Sequence, residues 1–337
     1  MTSTATSWST IAMGLAALAS VSISTAGTAS ADTLTVVLPY VPNMESFGEF
    51  YAENQGYFKD AGLDVKLIPG GQGIDQIQMV ASGIAQLGIA DASRTLAAID
   101  KGAPLVVIAA EYQMTPQAMT CRKDSGVTTP AMLKGKRLAI KQDAQAVADL
   151  FLSKNGLTRD DMTTVAVGSS DISQIIAGKV DCEITTFAFN EPFLIEQAGV
   201  PVTVLPVGKF GMPAPMDAWI VTKDFLASHK QELAAFMTAD AKAWDMVFTD
   251  PEGAAKFIVE GGFNDGLDID QQTYQAKNQG AYMISPLTAE KGIFWIDKDV
   301  WKLAAENAKD AGLTKTVLDP DVFTTTEILE AATMPKH

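Results

Sequence analysis

Aromatic and amide side chains recur where the predicted strands end, and residues of these two types can recognise a flat ring. Aromatic side chains stack on the faces of a ring, while amides supply donors and acceptors to its edge. An apolar cleft with a few placed polar groups is the usual form of a small-molecule site. The aromatic candidates are Tyr40, Tyr112, Phe187 and Phe189, and the amide candidates are Asn43, Gln72, Gln113, Gln145 and Asn190.

Four further polar residues lie in the same loops, and we predict that they also contact the ligand. They are Asp91, Ser93, Ser170 and Glu191. Local roles remain open for several candidates, because side chains of these types also cap helices and shape turns. Asp91 and Ser93 could cap the helix that follows, and Glu191 could cap its helix or hydrogen-bond across a cleft. Tyr40 and Phe187 could be edges of the core, and Asn43 could shape a turn.

The charges in these loops favour one class of ligand. Arg94 and Lys141 are their cations, whereas an oxyanion receptor needs more donors than acceptors at its centre. A neutral or weakly basic heteroaromatic ligand is therefore predicted. Helix N-termini at Gly73 and Ser170 could hold an anion without basic side chains, so a small oxyanion such as taurine, another sulfonate or nitrate is the alternative. The acidic residues of the loops are Asp91, Asp143, Asp171 and Glu191.

The sequence shows no constellation typical of catalysis. The only histidines are His229 in a polar stretch and the terminal His337, so no nucleophile has an evident base beside it. The glycine-rich turn at 70–73 lacks the lysine of a phosphate-binding loop. Two cysteines and two histidines are too few for a Cys/His metal centre. We therefore predict that the chain is not an enzyme and that it uses neither a metal nor a cofactor.

The first 31 residues predict export. They contain no charged side chain, and an apolar run at 11–19 leads to Ala29-Ser30-Ala31, a small-x-small cleavage site, although no Lys or Arg precedes the run. The mature chain would start at Asp32 and lie in the periplasm or outside the cell. The formal charge of −15 argues against a nucleic-acid partner, which requires clustered basic residues.

Alternating apolar patterns of period 2 and period 3.6 predict an α/β protein with mostly parallel sheets flanked by helices. Among the predicted elements are strands at 87–90 and 163–167 and helices at 45–58 and 225–248. The mature length exceeds one compact core, so two lobes are expected. The pattern restarts after a polar break near residue 122 and becomes chiefly helical after residue 213. We predict one lobe from 32–118 plus 213–337 and a second lobe from 119–212. Two crossings between them, near 118–122 and 210–218, would form a hinge.

Cys121 and Cys182 allow two states in an oxidising compartment. They could form a disulfide, or they could be two separately buried thiols, because a bridge requires the two backbones to approach closely. The sequence favours separate thiols slightly.

The chain resembles the nitrate/taurine/thiamine-pyrimidine group of binding proteins for ABC importers. The resemblance begins with Tyr40-Val41-Pro42-Asn43 after the first strand and continues through residues 52–65. It then includes 81–90, 123–127, 133–136 and Asn190-Glu191-Pro192, in the expected order. The Pro-Asn pair is most similar to receptors for thiamine-pyrimidine precursors.

This resemblance implies a monomeric receptor whose two lobes close on a small molecule and deliver it to an ABC permease. A sensory receptor that reports to a membrane kinase is a further alternative. The related eukaryotic pyrimidine synthase has the same fold but depends on a cysteine-rich motif and an active-site histidine. Neither is visible in this sequence, so the synthase chemistry is not expected here.

Overall fold

The computed structural model describes residues 1–5, 33–168 and 171–337, with the side chain of Asp143 excepted. The predicted signal segment, 1–31, therefore lies almost wholly outside the described residues. Residues 32–337 form one compact unit. No helix among the described residues is long and apolar enough to cross a bilayer.

Two five-stranded sheets organise this unit, and they have the same plan. The strand order is β2-β1-β3-β10-β4 in the first sheet and β7-β6-β8-β5-β9 in the second. The first sheet consists of β1 (Thr33–Val37), β2 (Asp64–Ile68), β3 (Leu87–Ala90), β4 (Leu105–Tyr112) and β10 (Met216–Thr222). The second consists of β5 (Gln117–Arg122), β6 (Arg137–Lys141), β7 (Thr163–Val167), β8 (Cys182–Phe187) and β9 (Val202–Pro206).

Each sheet contains four parallel strands and one antiparallel strand. In the first sheet β10 runs antiparallel to β3 and β4, and in the second β5 runs antiparallel to β8 and β9. Each antiparallel strand directly follows a passage of the chain from the other sheet, through 113–116 or through 207–215. The predicted fold class, two mostly parallel sheets flanked by helices, is confirmed.

Helices cover both faces of the sheets. The part of the structure built on the first sheet is called the first half, and the part built on the second sheet is called the second half. In the first half, α3 (Gln76–Ala81), α4 (Ala92–Asp100) and α13 (Lys298–Asp310) pack together. Around α9 (Lys230–Thr249) pack α1 (Phe47–Asn54), α2 (Tyr57–Asp60), α10 (Pro251–Glu260), α11 (Ile269–Met283) and α15 (Glu327–Ala331). In the second half, α5 (Gln145–Lys154) lies on one face, with α6 (Ser173–Ile176) and α7 (Glu191–Gln197) on the other. The remaining helices are α8 (Lys223–Ser228), α12 (Pro286–Lys291) and α14 (Pro320–Phe323).

Two predicted helices differ from the observed ones. The helix predicted at 45–58 is divided into α1 and α2, because Gly56 between them has a left-handed φ of 74° that ends a helix. The helix predicted at 225–248 is likewise divided into α8 and α9 at His229. Strand β5 was predicted only as a crossing point between lobes.

The cysteines are paired, and the preference for separate thiols is wrong. Cys121 on β5 lies directly opposite Cys182 on β8, and their sulfur atoms are 2.05 Å apart. Register across an antiparallel strand pair is a long-range property, which sequence spacing does not reveal.

We expect unfolded, unreduced protein to contain no free thiol in a colorimetric thiol assay. The bridge closes a loop of 61 residues, so the Cys121→Ala/Cys182→Ala variant should lose about 4 kcal/mol of unfolding free energy in urea. Two reactive thiols in the unreduced wild type would contradict the pairing.

Candidate functional site

The loop after β1 uses two of the predicted ligand residues in different ways. The Asn43 side chain accepts a hydrogen bond from the Glu45 backbone N–H at 2.7 Å and donates to the Glu45 carboxylate at 3.3 Å. Asn43 therefore shapes this turn, as the alternative interpretation held. Tyr40 is exposed, and Gln72 lies in an exposed turn between β2 and α3.

Asp91 and Ser93 lie at the start of α4. The Asp91 carboxylate caps the helix by accepting from the Arg94 backbone N–H at 2.9 Å, and it also accepts from the Ser93 hydroxyl at 2.5 Å. Both residues line a cavity of about 70 Å³ beside the two passages between the sheets. Its walls are mainly apolar and come from α5, α13 and residues 207–216.

The end of β4 contacts a loop that belongs to the second sheet. Tyr112 is fully buried, and its ring centroid lies 5.8 Å from that of Phe189. Phe189 also packs edge-on against Tyr282 of α11, at 5.7 Å. Gln113 is buried, and its amide donates to the Ala110 carbonyl at 3.0 Å. Phe189 thus fills the space between β4 and α11.

A buried ion pair joins the loops after β6 and β8. The loops at the strand ends in which ligand contacts are predicted are called the ligand loops. The Lys141 ammonium lies 2.6 Å from the Glu191 carboxylate, and both side chains are about 10% exposed or less. The other Glu191 oxygen accepts from the Phe187 backbone N–H at 2.7 Å. Gln145 donates its amide hydrogen to the Lys141 carbonyl at 2.8 Å. These contacts fix the loop after β8 against the loop after β6.

Helix α11 contributes a row of glutamines that the sequence analysis missed. Gln271 donates to the Asn190 side chain at 2.8 Å, which links the first half of the structure to the second. Gln275 and Gln279 continue the row by side-chain hydrogen bonds, and Gln279 reaches the Met44 carbonyl at 3.1 Å. The signal available in the sequence was the i, i+4, i+8 spacing of these three amides on one helical face.

The structure brings most of the predicted site residues into two groups. The first group lies around Phe189 and comprises Tyr112, Gln113, Gln145, Phe187, Phe189, Asn190 and Glu191. Asp91 and Ser93 form the second group at the cavity, whereas Asn43 lies close to the α11 glutamines. Tyr40 in the loop after β1 and Gln72 in the turn after β2 are exposed, and Ser170 lies outside the described residues.

Carboxyl groups dominate the electrostatics of this region. Burial, opposed by a hydrogen bond from Asn43, raises the pKa of Glu45 to about 7. Burial likewise raises the pKa of Glu183 on β8 to about 8, against the lowering effect of Lys141. Burial is also the largest cause that raises the pKa values of four other carboxyl groups well above their usual range. These groups are Glu49, Glu111, Asp217 and Asp240.

With this geometry in place, comparison with known proteins identifies the family. Residues 43–254 match the family described as NMT1/THI5 like. The chain belongs to this family. The resemblance to the nitrate/taurine/thiamine-pyrimidine group of binding proteins for ABC importers is thereby confirmed.

Relatives of this family member include both enzymes and binding proteins. A 4-amino-5-hydroxymethyl-2-methylpyrimidine phosphate synthase of Saccharomyces cerevisiae is 27% identical over 77% of this chain and 79% of its own length. The riboflavin-binding protein RibY of Chloroflexus aurantiacus is 23% identical over 88% and 86%. The periplasmic aliphatic sulphonate binding protein SsuA of Escherichia coli has a TM-score of 0.70 at 14% identity, over 91% of this chain and 95% of that one.

The prediction that the chain is not an enzyme is contradicted by these relatives. The yeast proteins of this family, and similar ones from other fungi, are named as synthases. The prediction rested on missing motifs. Proteins named for synthesis and a protein named for binding are both similar in sequence to this chain, so missing motifs do not separate the two classes.

The Lys141–Glu191 pair should be important for stability, because removing one partner leaves the other charge buried. We expect Lys141→Met to lower the unfolding free energy by about 3–5 kcal/mol in urea titrations. The matched control is Lys277→Met, which removes a pair of the same 2.6 Å length to Glu252 that is exposed and should cost about 1 kcal/mol or less. Equal losses in the two variants would contradict this role.

The buried carboxyl groups should make stability depend on pH. Their raised pKa values mean that the folded protein keeps protons that the unfolded chain has lost, so stability falls as pH rises from about 5 to about 8. Urea midpoints across this range measure the slope. Asp240→Asn should flatten it, whereas Glu232→Gln, an exposed acid on the same helix, should not. Stability that rises over this range would refute the assignment.

Proposed function

We propose that the protein is a solute receptor outside the cytoplasm that binds a small heteroaromatic molecule, such as a thiamine-pyrimidine precursor. In this proposal the lobes 32–118 plus 213–337 and 119–212 close on the ligand, and the receptor then delivers it to an ABC permease. Export would depend on the signal peptide at 1–31, and the mature protein would act as a monomer.

One observation carries this proposal: the loop after β8 meets the first half of the structure at the ends of the strands. Phe189 packs between Tyr112 and Tyr282, and Asn190 accepts a hydrogen bond from Gln271. Ligands in open α/β sheets bind at the carboxyl ends of strands, where such loops converge. Contacts that join two halves at this place are those that closure on a ligand requires.

The chemistry of the loops supports a heteroaromatic ligand. Aromatic rings and amides predominate, and the two cations of these loops are engaged by acids. Arg94 lies 3.4 Å from Asp75, and Lys141 is paired with Glu191. Relatives named for riboflavin binding and for aminopyrimidine synthesis also handle flat nitrogen heterocycles. The structural similarity to sulphonate-binding proteins keeps a small oxyanion as the alternative ligand.

Calorimetric titration with aminopyrimidines, flavins, taurine and nitrate should separate the two ligand classes. Tyr40→Ala should weaken heteroaromatic binding by about 0.5–1.5 kcal/mol through lost stacking. Asn43→Ala should weaken the binding free energy by about 1–3 kcal/mol, because the Glu45 backbone N–H loses its partner and the turn that holds Glu45 is loosened. Arg94→Ala should have a smaller effect than either. Binding of anions alone, lost in Arg94→Ala and retained in Tyr40→Ala, would establish the oxyanion alternative instead.

Closure itself is measurable by small-angle scattering. A saturating heteroaromatic ligand should reduce the radius of gyration, because the ligand contacts both lobes only when they are closed. An unchanged radius with a bound ligand would place the site within one lobe and contradict the closure mechanism.

A further inference from the structure

A row of buried acidic side chains leads from the edge of the ligand loops into the first half of the structure. This acidic row consists of Glu45, Glu49, Glu111, Asp217 and Asp240. Glu45 and Asp217 retain exposures of 6% and 3%, whereas the other three are fully enclosed. The enclosed oxygens of Glu49, Glu111, Asp217 and Asp240 number seven, and none has a hydrogen-bond partner among the described residues. Glu45 and Asp217 are therefore its accessible end.

Neutral donors beside the row are also unpartnered. The Tyr112 hydroxyl and the Trp244 indole N–H are fully buried without hydrogen bonds among the described groups. A Cβ atom on Gly48 would lie 2.1 Å from the Trp244 Nε1 atom and 2.8 Å from the Asp240 Oδ1 atom. The two polar groups thus meet above a glycine that leaves room for them. An ionised carboxylate only accepts hydrogen bonds, so each acid at the accessible end that loses its proton favours an occupant that donates hydrogen bonds.

The accessible end is held rigidly at the ligand loops. Asn43 binds both the backbone and the carboxylate of Glu45, and Gln272 of α11 accepts from the neighbouring Met44 N–H at 2.9 Å. Asp217 has a left-handed φ of 54° and lies opposite Glu111, since its neighbours on β10 pair with Ala110 and Tyr112. Fixed carboxylates of this kind can orient a cationic group with little loss of side-chain entropy.

Acids on neighbouring elements raise the pKa values of the two groups at this end. The charge of Glu191 on α7 raises the pKa of Glu45, and the charges of Glu45, Asp91 and Glu49 raise that of Asp217. The charge of Asp240 on α9 raises the pKa of Glu111 on β4, and the charge of Glu111 raises that of Tyr112. Lys141 lies at Glu191 and is paired with it. Each of these acids that is ionised favours a positive charge at the edge of the row.

We propose that Glu45 and Asp217 bind a positively charged nitrogen group of the ligand, as in a protonated aminopyrimidine or another cationic heteroaromatic. This inference rests on the proposed receptor function and names the charge of its ligand. Glu49, Glu111 and Asp240 lie behind the pair as fully enclosed acids, and burial raises the pKa of each. Binding is then linked to pH, because burial raises the pKa values of Glu45 and Asp217, and each must lose its proton before it can attract the cation.

Two probes of nearly the same shape test the charge directly. 4-Amino-1-methylpyridinium is a permanent cation, and 4-methylaniline is its neutral counterpart. Calorimetry should show tighter binding of the cation, with an affinity that rises about tenfold or more between about pH 5.5 and about pH 8.5. The neutral probe should show no such rise. Equal affinity of the two probes at every pH would overturn the proposal.

Substitutions test the two residues. Glu45→Gln and Asp217→Asn should each weaken binding of the cation by about ten- to a hundredfold and leave the neutral probe unaffected. Asparagine also tolerates the left-handed backbone of position 217, so the fold is retained. Glu232→Gln is the exposed control and should bind both probes as the wild type does. Wild-type affinity for the cation in both site variants would refute the assignment.

A parallel titration with 4-amino-5-hydroxymethyl-2-methylpyrimidine separates this inference from the receptor function. If that pyrimidine binds and reduces the radius of gyration but the charged probe has no advantage, the receptor function stands and the acidic-row proposal fails. If neither probe nor the pyrimidine binds and the radius is unchanged, both proposals fail.

Discussion

The double passage of the chain between the two sheets is the constraint on which the rest of the structure depends. Strand β5 lies between β8 and β9, and β10 lies between β3 and β4. Each of these two strands follows directly after the chain has passed from the other sheet. The first sheet forms its full ladder only when the chain has passed to the second sheet and back, because β10 lies between β3 and β4. The disulfide between Cys121 and Cys182 reinforces one of these insertions by joining β5 to β8.

The two halves solve the problem of buried charge differently. In the second half Lys141 and Glu191 satisfy each other, with a backbone N–H for the remaining carboxylate oxygen. In the first half five acids are buried without a basic partner among the described side chains, and burial raises the pKa of each. The whole sequence reflects the same asymmetry: residues 113–212 carry ten acidic and ten basic side chains, and the net charge of −15 lies entirely outside them.

Helix α11 connects these electrostatic regions to the place where the halves meet. Its glutamines extend from Asn190 to the backbone of Met44, so a single face of one helix touches both the loop after β8 and the loop after β1. A row of amides can bind donors and acceptors in either order, which suits a surface that must be polar yet uncharged. The aromatic contacts of Phe189 and the stacking of Phe193 on Tyr274, at 4.9 Å, lie beside it.

The sequence by itself determined the fold class and the positions of most strands. The bounds predicted for β3 and β7, for example, are those observed. Local periodicity and glycine positions contain that information because each depends on residues close along the chain. The tertiary structure alone decided the disulfide, the Gln271–Asn190 contact and the assembly of Glu45, Glu111, Asp217 and Asp240. These residues are far apart in sequence. Whether an acid is solvated on the surface or buried with a raised pKa depends on which elements pack over it, and no local sequence pattern contains that information.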